Sequence, residues 1–176
     1  MEQKFIMTAF GKDRPGIVAE IAEVIYENGC SLEDSNMGRL ADEFTLILLL
    51  SGKGEDLQDK LSRDCKRLER EKEIFVFIRP LDYSRPKDEN GNGLITIDIE
   101  GVDQAGIVFK VARVLAEEKV NIETLRSKKK FSPNSGTALY SMTITAKLPE
   151  SITTEDLEAR LDTLANDLNV DISLTS

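Results

Sequence analysis

Two short turns in the sequence carry the residues best suited to hold a small charged molecule. Turn 1 is Gly-Lys-Asp-Arg-Pro-Gly at residues 11–16 and turn 2 is Gly-Val-Asp-Gln-Ala-Gly at residues 101–106, and a helical pattern follows each. The first amides of a helix have no partner within the helix and lie at the positive end of its dipole, so they attract a carboxylate. The side chain of Asp13, or of Asp103 in turn 2, is suited to an ammonium group on the same ligand. A free α-amino acid satisfies both requirements.

The candidate ligand-binding residues lie in these turns and at the helical position that follows. Glycines let a ligand approach the backbone closely. The candidates are Gly11, Asp13, Arg14, Pro15, Gly16 and Ile17 in the first copy, and Asp103, Gly106 and Ile107 in the second. A purely structural interpretation stays open, because Asp is common at helix N-caps and Gly is common in tight turns. Two occurrences of the same turn strengthen the binding interpretation without excluding the structural one.

The turns belong to an internal repeat that divides the chain. Residues 10–34 align with residues 100–124 without gaps at a constant offset of 90, with nine identical positions. The stretch between the copies, residues 82–93, is polar and rich in turn-forming residues, which is typical of a linker. The sequence therefore predicts a first module at residues 1–81, a linker at residues 82–93 and a second module at residues 94–176.

Hydrophobic periodicity predicts the same order of elements in both modules. For the first module the predicted elements are a strand at 4–10, a helix with Pro15 in its first turn, strands at 31–40 and 43–50, a helix at 57–68 and a strand at 74–78. For the second they are a strand at 94–100, a helix at 107–115, strands at 120–128 and 137–146, a helix at 157–168 and a strand at 170–174. This βαββαβ order is that of an α+β, ferredoxin-like module, an antiparallel four-stranded sheet with two helices on one face. Because the other face is uncovered, we expect the modules, or two copies of the chain, to pair.

Composition limits the chemistry of the 176-residue chain. It has a net charge of −9, no histidine, and only two cysteines, Cys30 and Cys65. The lack of histidine excludes the Ser-His-Asp triad, and the cysteines lack metal-binding spacing, so both are expected to be reduced thiols. The negative charge disfavours direct binding to nucleic acid or anionic membranes, and no stretch approaches the ~20 apolar residues of a membrane span. We expect a cytoplasmic protein with no metal, no cofactor and no catalytic activity.

Turn 1, with its Gly-x-Asp-x-Pro-Gly-Ile-Val pattern inside a βαββαβ module, resembles the ACT domain family. The resemblance covers both halves, although Gln104 and Ala105 replace Arg14 and Pro15 in turn 2. It implies modules that sense small molecules, mostly amino acids, at interfaces between paired modules.

A narrower resemblance, in residues 8–18, 29–35 and 43–52, is to stand-alone tandem regulators of this family. It implies a protein that responds to a small amino acid such as glycine and controls transcription by contacting a regulator protein. From the uncovered sheet faces we expect a homodimer. A ligand-free structural adaptor and a regulatory subunit of a metabolic enzyme remain alternatives.

Overall fold

The computed structural model describes residues 2–81, 92–133 and 135–175. The chain divides into two compact units, Met1–Arg85 and Pro86–Ser176. Most of the linker predicted at residues 82–93 falls outside the described residues. The predicted module bounds therefore stay a prediction, and each unit is described here by itself.

The first unit contains the six predicted elements in the predicted order. They are β1 (Glu2–Lys12), α1 (Ile17–Glu27), β2 (Ser31–Leu40), β3 (Glu43–Lys53), α2 (Leu57–Lys72) and β4 (Phe75–Pro80). The strands form one antiparallel sheet in the order β2-β3-β1-β4. Its core is built from alternate strand residues, such as Phe5, Met7 and Ala9 at 0% exposure, and from one face of each helix.

The second unit repeats this architecture. Its elements are β5 (Asn92–Val102), α3 (Ile107–Glu117), β6 (Asn121–Phe131), β7 (Ala138–Leu148), α4 (Thr154–Leu168) and β8 (Val170–Thr175). The strand order is β6-β7-β5-β8, again antiparallel. The core has Ile97, Val111 and Ile144 fully buried. The predicted α+β, ferredoxin-like class is confirmed in both units.

Helix α1 does not include Pro15, although the sequence predicts this residue in the first helical turn. The prediction placed Pro15 in the first helical turn, whereas Pro15 belongs to turn 1 and Ile17 is the first helical residue. The reason is Gly16, which occupies the N-cap position with φ +91°. A residue in this left-handed conformation cannot belong to a right-handed helix, so the helix starts after it.

Both cysteines are free thiols, as predicted. Burial, together with the neighbouring charge of Asp64, raises the pKa of the Cys65 thiol to about 11. Burial also raises the pKa of Cys30. Since the thiolate is the reactive form, neither side chain is suited to nucleophilic chemistry at neutral pH. None of the helices in the described part of the chain has the length and apolar character needed to span a bilayer.

Candidate ligand-binding turns

Gly11 and Gly101, at the start of each turn, lie where the strand passes close to a neighbouring segment. A Cβ on Gly11 would lie 3.0 Å from the backbone oxygen of Glu73, just before β4. A Cβ on Gly101 would lie 2.6 Å from Cγ1 of Val170, the first residue of β8. Both distances are too short for a methyl group without movement of the neighbour. Packing alone therefore explains glycine at these two positions.

Gly16 and Gly106, at the end of each turn, are glycines for a different reason. Their φ angles are +91° and +96°, and a Cβ at either position would meet nothing within 4 Å. Each is the N-cap of the following helix and has no side-chain oxygen to satisfy the first helical amides. The helix α4 differs, because Thr153 at its N-cap accepts a hydrogen bond from the amide of Asp156. The amide of Ile17 makes a long hydrogen bond, 3.4 Å, to the carbonyl of Arg14, but no side chain caps either helix, which leaves room for an external acceptor at the α1 and α3 N-termini.

The side chains of Asp13 and Asp103 are held by basic residues of the neighbouring strands. Nη1 of Arg39, in β2, lies 3.3 Å from Oδ2 of Asp13, and Nζ of Lys129, in β6, lies 2.5 Å from Oδ2 of Asp103. The amides of the two aspartates donate to the carbonyls of Asp42 and Ala138. Each aspartate therefore ties its turn to the hairpin beside it, and neither caps the following helix.

The sequence reasoning missed these basic partners, although the repeat carries a signal for them. Each lies 26 residues after its aspartate. A basic residue at the same spacing in both copies indicates a contact between the turn and the second strand.

Arg14 is not free to meet a ligand in this structure. Its guanidinium donates two hydrogen bonds to the carboxylate of Glu20 in α1, at 3.2 and 2.6 Å, and Nζ of Lys72 lies 3.6 Å from the same carboxylate. The hydrogen bond from Arg14, followed by the charges of Arg14 and Lys72, holds the pKa of Glu20 below its ordinary value. In turn 2 the amide of Gln104 instead donates to the carbonyl of Leu168 at the end of α4.

The Glu20 interaction predicts a pH-dependent contribution to stability. A carboxylate with a lowered folded-state pKa stabilises the fold above its unfolded pKa, near 4.5, and loses this effect as the pH falls through the lower folded value. We expect Glu20→Gln to lower the melting temperature slightly at pH 7, and the difference from wild type to shrink below pH 4.5. Thermal unfolding followed by circular dichroism, from pH 7 to below pH 4.5, measures this difference in melting temperature.

Glu23→Gln is the control for that series, since Glu23 is on the same helix, is exposed and has no ion pair among the described side chains. Its melting temperature should follow wild type at every pH. A Glu20→Gln difference that persists at pH 3 would mean that the side chain acts through packing and not through charge.

Two clefts lie at the strand ends where the turns begin. One of about 420 Å³ is lined by Gly11 together with Phe10, Glu69 and Glu73, and one of about 390 Å³ by Gly101 together with Lys130 and Asp171. Apart from Gly11, none of the candidate residues lines either cleft.

The remaining candidates divide into buried and exposed. Ile17 and Ile107 are 3% and 2% exposed, so their side chains belong to the cores and position the helices, and only their backbone amides are left for a ligand. Pro15, Gly16 and Gly106 are exposed. Within the described ranges, no group of His, Cys, Asp or Glu side chains is arranged to hold a metal ion. What the turns offer is therefore backbone amides and a paired carboxylate on an open surface, which suits reversible binding.

Comparison with known proteins assigns the family. Residues 3–78 match the model of the ACT domain. The glycine cleavage system transcriptional repressor of Escherichia coli is 27% identical over 169 residues, which are 96% of this chain and 87% of that protein. A UPF0237 protein of Methanopyrus kandleri is 31% identical over 81 residues, 46% of this chain and 90% of that protein.

A solved structure has the same fold over nearly the full length. A protein of unknown function from Galdieria sulphuraria superposes with a TM-score of 0.78 and 25% identity, covering 99% of this chain and 98% of that one. Residues 3–78, the first ferredoxin-like module, therefore match the ACT domain family, and along nearly its full length the chain is similar to the glycine cleavage system transcriptional repressor.

Proposed function

We propose that this protein is a non-enzymatic regulator that senses a small amino acid and modulates transcription by contacting a regulator protein. The observation that carries the proposal is the similarity to a transcriptional repressor along 96% of this chain and 87% of that protein, so that both modules share in it. The net charge of −9 supports an action through protein contact and not through DNA, because phosphate backbones repel such a surface.

The proposed ligand site is turn 1, with turn 2 as a second site. The ligand carboxylate would accept hydrogen bonds from the first amides of α1 beside Gly16, and its ammonium group would bind the carboxylate of Asp13. The Asp13–Arg39 contact is long, at 3.3 Å, and the Arg39 side chain is 67% exposed, so the pair is weak and can yield to a ligand. The Asp103–Lys129 contact is shorter, at 2.5 Å. Turn 1 is therefore the better candidate.

Ligand size limits the affinity that such a site can reach. Glycine has five heavy atoms, and a ceiling of about −1.5 kcal/mol per atom gives a dissociation constant no better than a few micromolar. A weak sensor suits an abundant metabolite. Binding regulates only if it differs between two states of the protein, one of which the partner recognises.

Thermal unfolding with a panel of amino acids tests this function. A ligand at about 100 times its dissociation constant adds roughly 2.7 kcal/mol, which raises the melting temperature of a 176-residue protein by roughly 5–10 °C. We expect glycine or another small amino acid to produce this shift, and large aromatic ones to produce none. If no common amino acid moves the transition, the sensor proposal is wrong.

A ligand-free adaptor is the second candidate, and the contacts of turn 1 favour it. Arg14 is bound to Glu20 and Asp13 to Arg39, so that the turn is already satisfied in part by the chain itself. Capture of the regulator protein from an extract, with and without amino acids, separates the candidates. A sensor should bind in an amino-acid-dependent way, whereas an adaptor should bind equally in both conditions. If the protein is a regulatory subunit, the same capture experiment should instead recover the catalytic chain of an enzyme.

We further propose that the protein acts as a homodimer. The sheet of each unit has helices on one face only, and an uncovered sheet face favours association. Sedimentation of the full chain over a range of concentrations tests this, since a homodimer dissociates on dilution.

A further inference from the structure

The sheet face opposite the helices in the first unit is apolar and exposed. We name it the open face of the first unit and define it by the outward residues of β1 to β4. Phe10, Ile47, Phe75 and Phe77 on this face are 38%, 50%, 43% and 65% exposed. The ring of Phe10 stacks on those of Phe75 and Phe77, with centroids 5.2 and 6.1 Å apart. An exposed apolar patch of this kind marks an interaction surface.

The central rows of the corresponding face in the second unit are polar, although the topology is the same, and its exposed apolar side chains, Leu94, Val102 and Leu139, lie toward the strand ends. The cross-strand row that matches Ile6 of the first unit consists of threonines: Thr124, Thr145, Thr96 and Thr175. In the next row Thr143 donates a hydrogen bond to Asp98 at 2.6 Å, and Ser173 stands where the first unit has Phe77. These rows therefore carry hydroxyl and carboxyl groups where the first unit has its aromatic cluster. The apolar character of the first face is thus a property of that unit and not of the fold.

A charged residue lies at each edge of the open face. Asp34 on β2, Leu49 on β3, Ile6 on β1 and Arg79 on β4 form one row across the sheet. Three strand spacings of about 4.8 Å separate the two charges by roughly 14 Å, too far for an ion pair within the sheet. Among the described residues Arg79 has no ion pair, and the Asp34 carboxylate accepts only the amide of Ser35.

We propose that this open face docks on the same face of a second copy, with the twofold axis parallel to the strands. The inference rests on the proposed homodimer and assigns its surface. Rotation about such an axis places β4 of one copy over β2 of the other and β1 over β3. Arg79 of each copy then lies opposite Asp34 of the other copy, so that the interface contains two equivalent Arg79–Asp34 pairs. Phe75 faces Gly38 in the same way, because these residues end the row that contains Phe10.

The geometry of packed sheets is compatible with this arrangement. Aligned sheets pack about 10 Å apart at roughly 30°, which displaces the edge strands by about 4 Å, a distance that an arginine side chain spans. A face of four strands is roughly 19 Å wide and 30 Å long, comparable with one side of a standard interface of about 800 Å² per partner. An arrangement with the axis perpendicular to the strands would instead place β4 over β4 and leave both charges unpaired.

Charge reversal tests both the surface and the orientation. We expect Arg79→Asp and Asp34→Arg each to raise the dimer dissociation constant about a hundredfold, because each places two like-charged pairs in the interface. The double variant R79D/D34R restores opposite charges and should return to within about threefold of wild type. Rescue by a contact within one copy is excluded by the distance between the two edges.

Phe77→Lys tests the apolar centre of the face, with Ser173→Lys at the matching position of the second unit as its control. Sedimentation of the full chains should show a monomer for Phe77→Lys and the wild-type dimer for Ser173→Lys. A wild-type protein that stays monomeric at high concentration would overturn the homodimer itself. A wild-type dimer that survives Phe77→Lys would overturn only the assigned surface, and a double charge variant as weak as the single ones would overturn the orientation.

Discussion

Truncation of Leu61 to alanine is expected to destabilise the first unit by about 2–5 kcal/mol, because it removes a buried side chain and leaves a cavity. Leu61 is 0% exposed and lies on the buried face of α2, within the core of the first unit. Leu161 has the same place in α4 of the second unit and is 1% exposed. Because the two cores share no residue, each truncation should act on one unit only.

Hydrogen exchange read by mass spectrometry measures this directly. We expect Leu61→Ala to increase exchange in the β1 and β3 peptides and Leu161→Ala in the β5 and β7 peptides. Leu40→Ala is the control, since Leu40 is 83% exposed and its loss should change stability by less than about 0.5 kcal/mol. If either core variant raised exchange equally in both units, the chain would unfold as one cooperative body, against the predicted module division.

The elements could be predicted from the sequence because burial imposes a period on each of them. Phe5, Met7 and Ala9 alternate on a strand, and Leu57, Leu61 and Leu68 repeat on a helix face. The strand ends could not be predicted in this way. The prediction for β1 covered residues 4–10, whereas the strand runs from Glu2 to Lys12 because it pairs with β3 over its whole length. The backbone pairing of β1 with β3 therefore continues beyond the residues whose side chains are buried in the core.

The candidate turns were found by the repeat, but their contacts depend on tertiary structure. Sequence patterns do not distinguish Gly11, which is crowded by Glu73, from Gly16, which has a left-handed backbone and open space around it. The partner of Asp13 is on β2, a strand that is close only after the sheet has formed. The ligand-binding role of the candidate residues stays a prediction.

The outer sheet faces of the two units differ in sequence, but the difference can be recognised only when the strand register shows which residues correspond. Phe75 and Phe77 in β4 correspond to Asp171 and Ser173 in β8, once each strand is aligned on its partner, β1 or β5. The repeat aligned residues 10–34 with residues 100–124 and ended before these strands. The second half of each module has thus diverged on its outer face while its core kept the same pattern.

Replacement of Gly16 by valine is expected to abolish the melting shift produced by glycine, about 5–10 °C in the wild type at saturation. The side chain would project from the N-cap of α1 into the open space beside the first helical amides, where the ligand carboxylate is proposed to bind. The substitution also costs at least about 1–2 kcal/mol, because an L-residue is strained at φ +91°. The fold should survive, since the added Cβ meets nothing within 4 Å.

Gly29→Val separates the loss of binding from the loss of stability. Gly29 lies just after the other end of α1, has φ +64°, and also has nothing within 4 Å of an added Cβ. Both variants should therefore melt below wild type by similar amounts, while only Gly29→Val keeps the shift with glycine. Gly106→Val, at φ +96° in turn 2, then reports whether the second turn shares in binding. An undiminished shift in Gly16→Val would place the amino-acid site away from turn 1, since no carboxylate could reach the α1 amides past the new side chain.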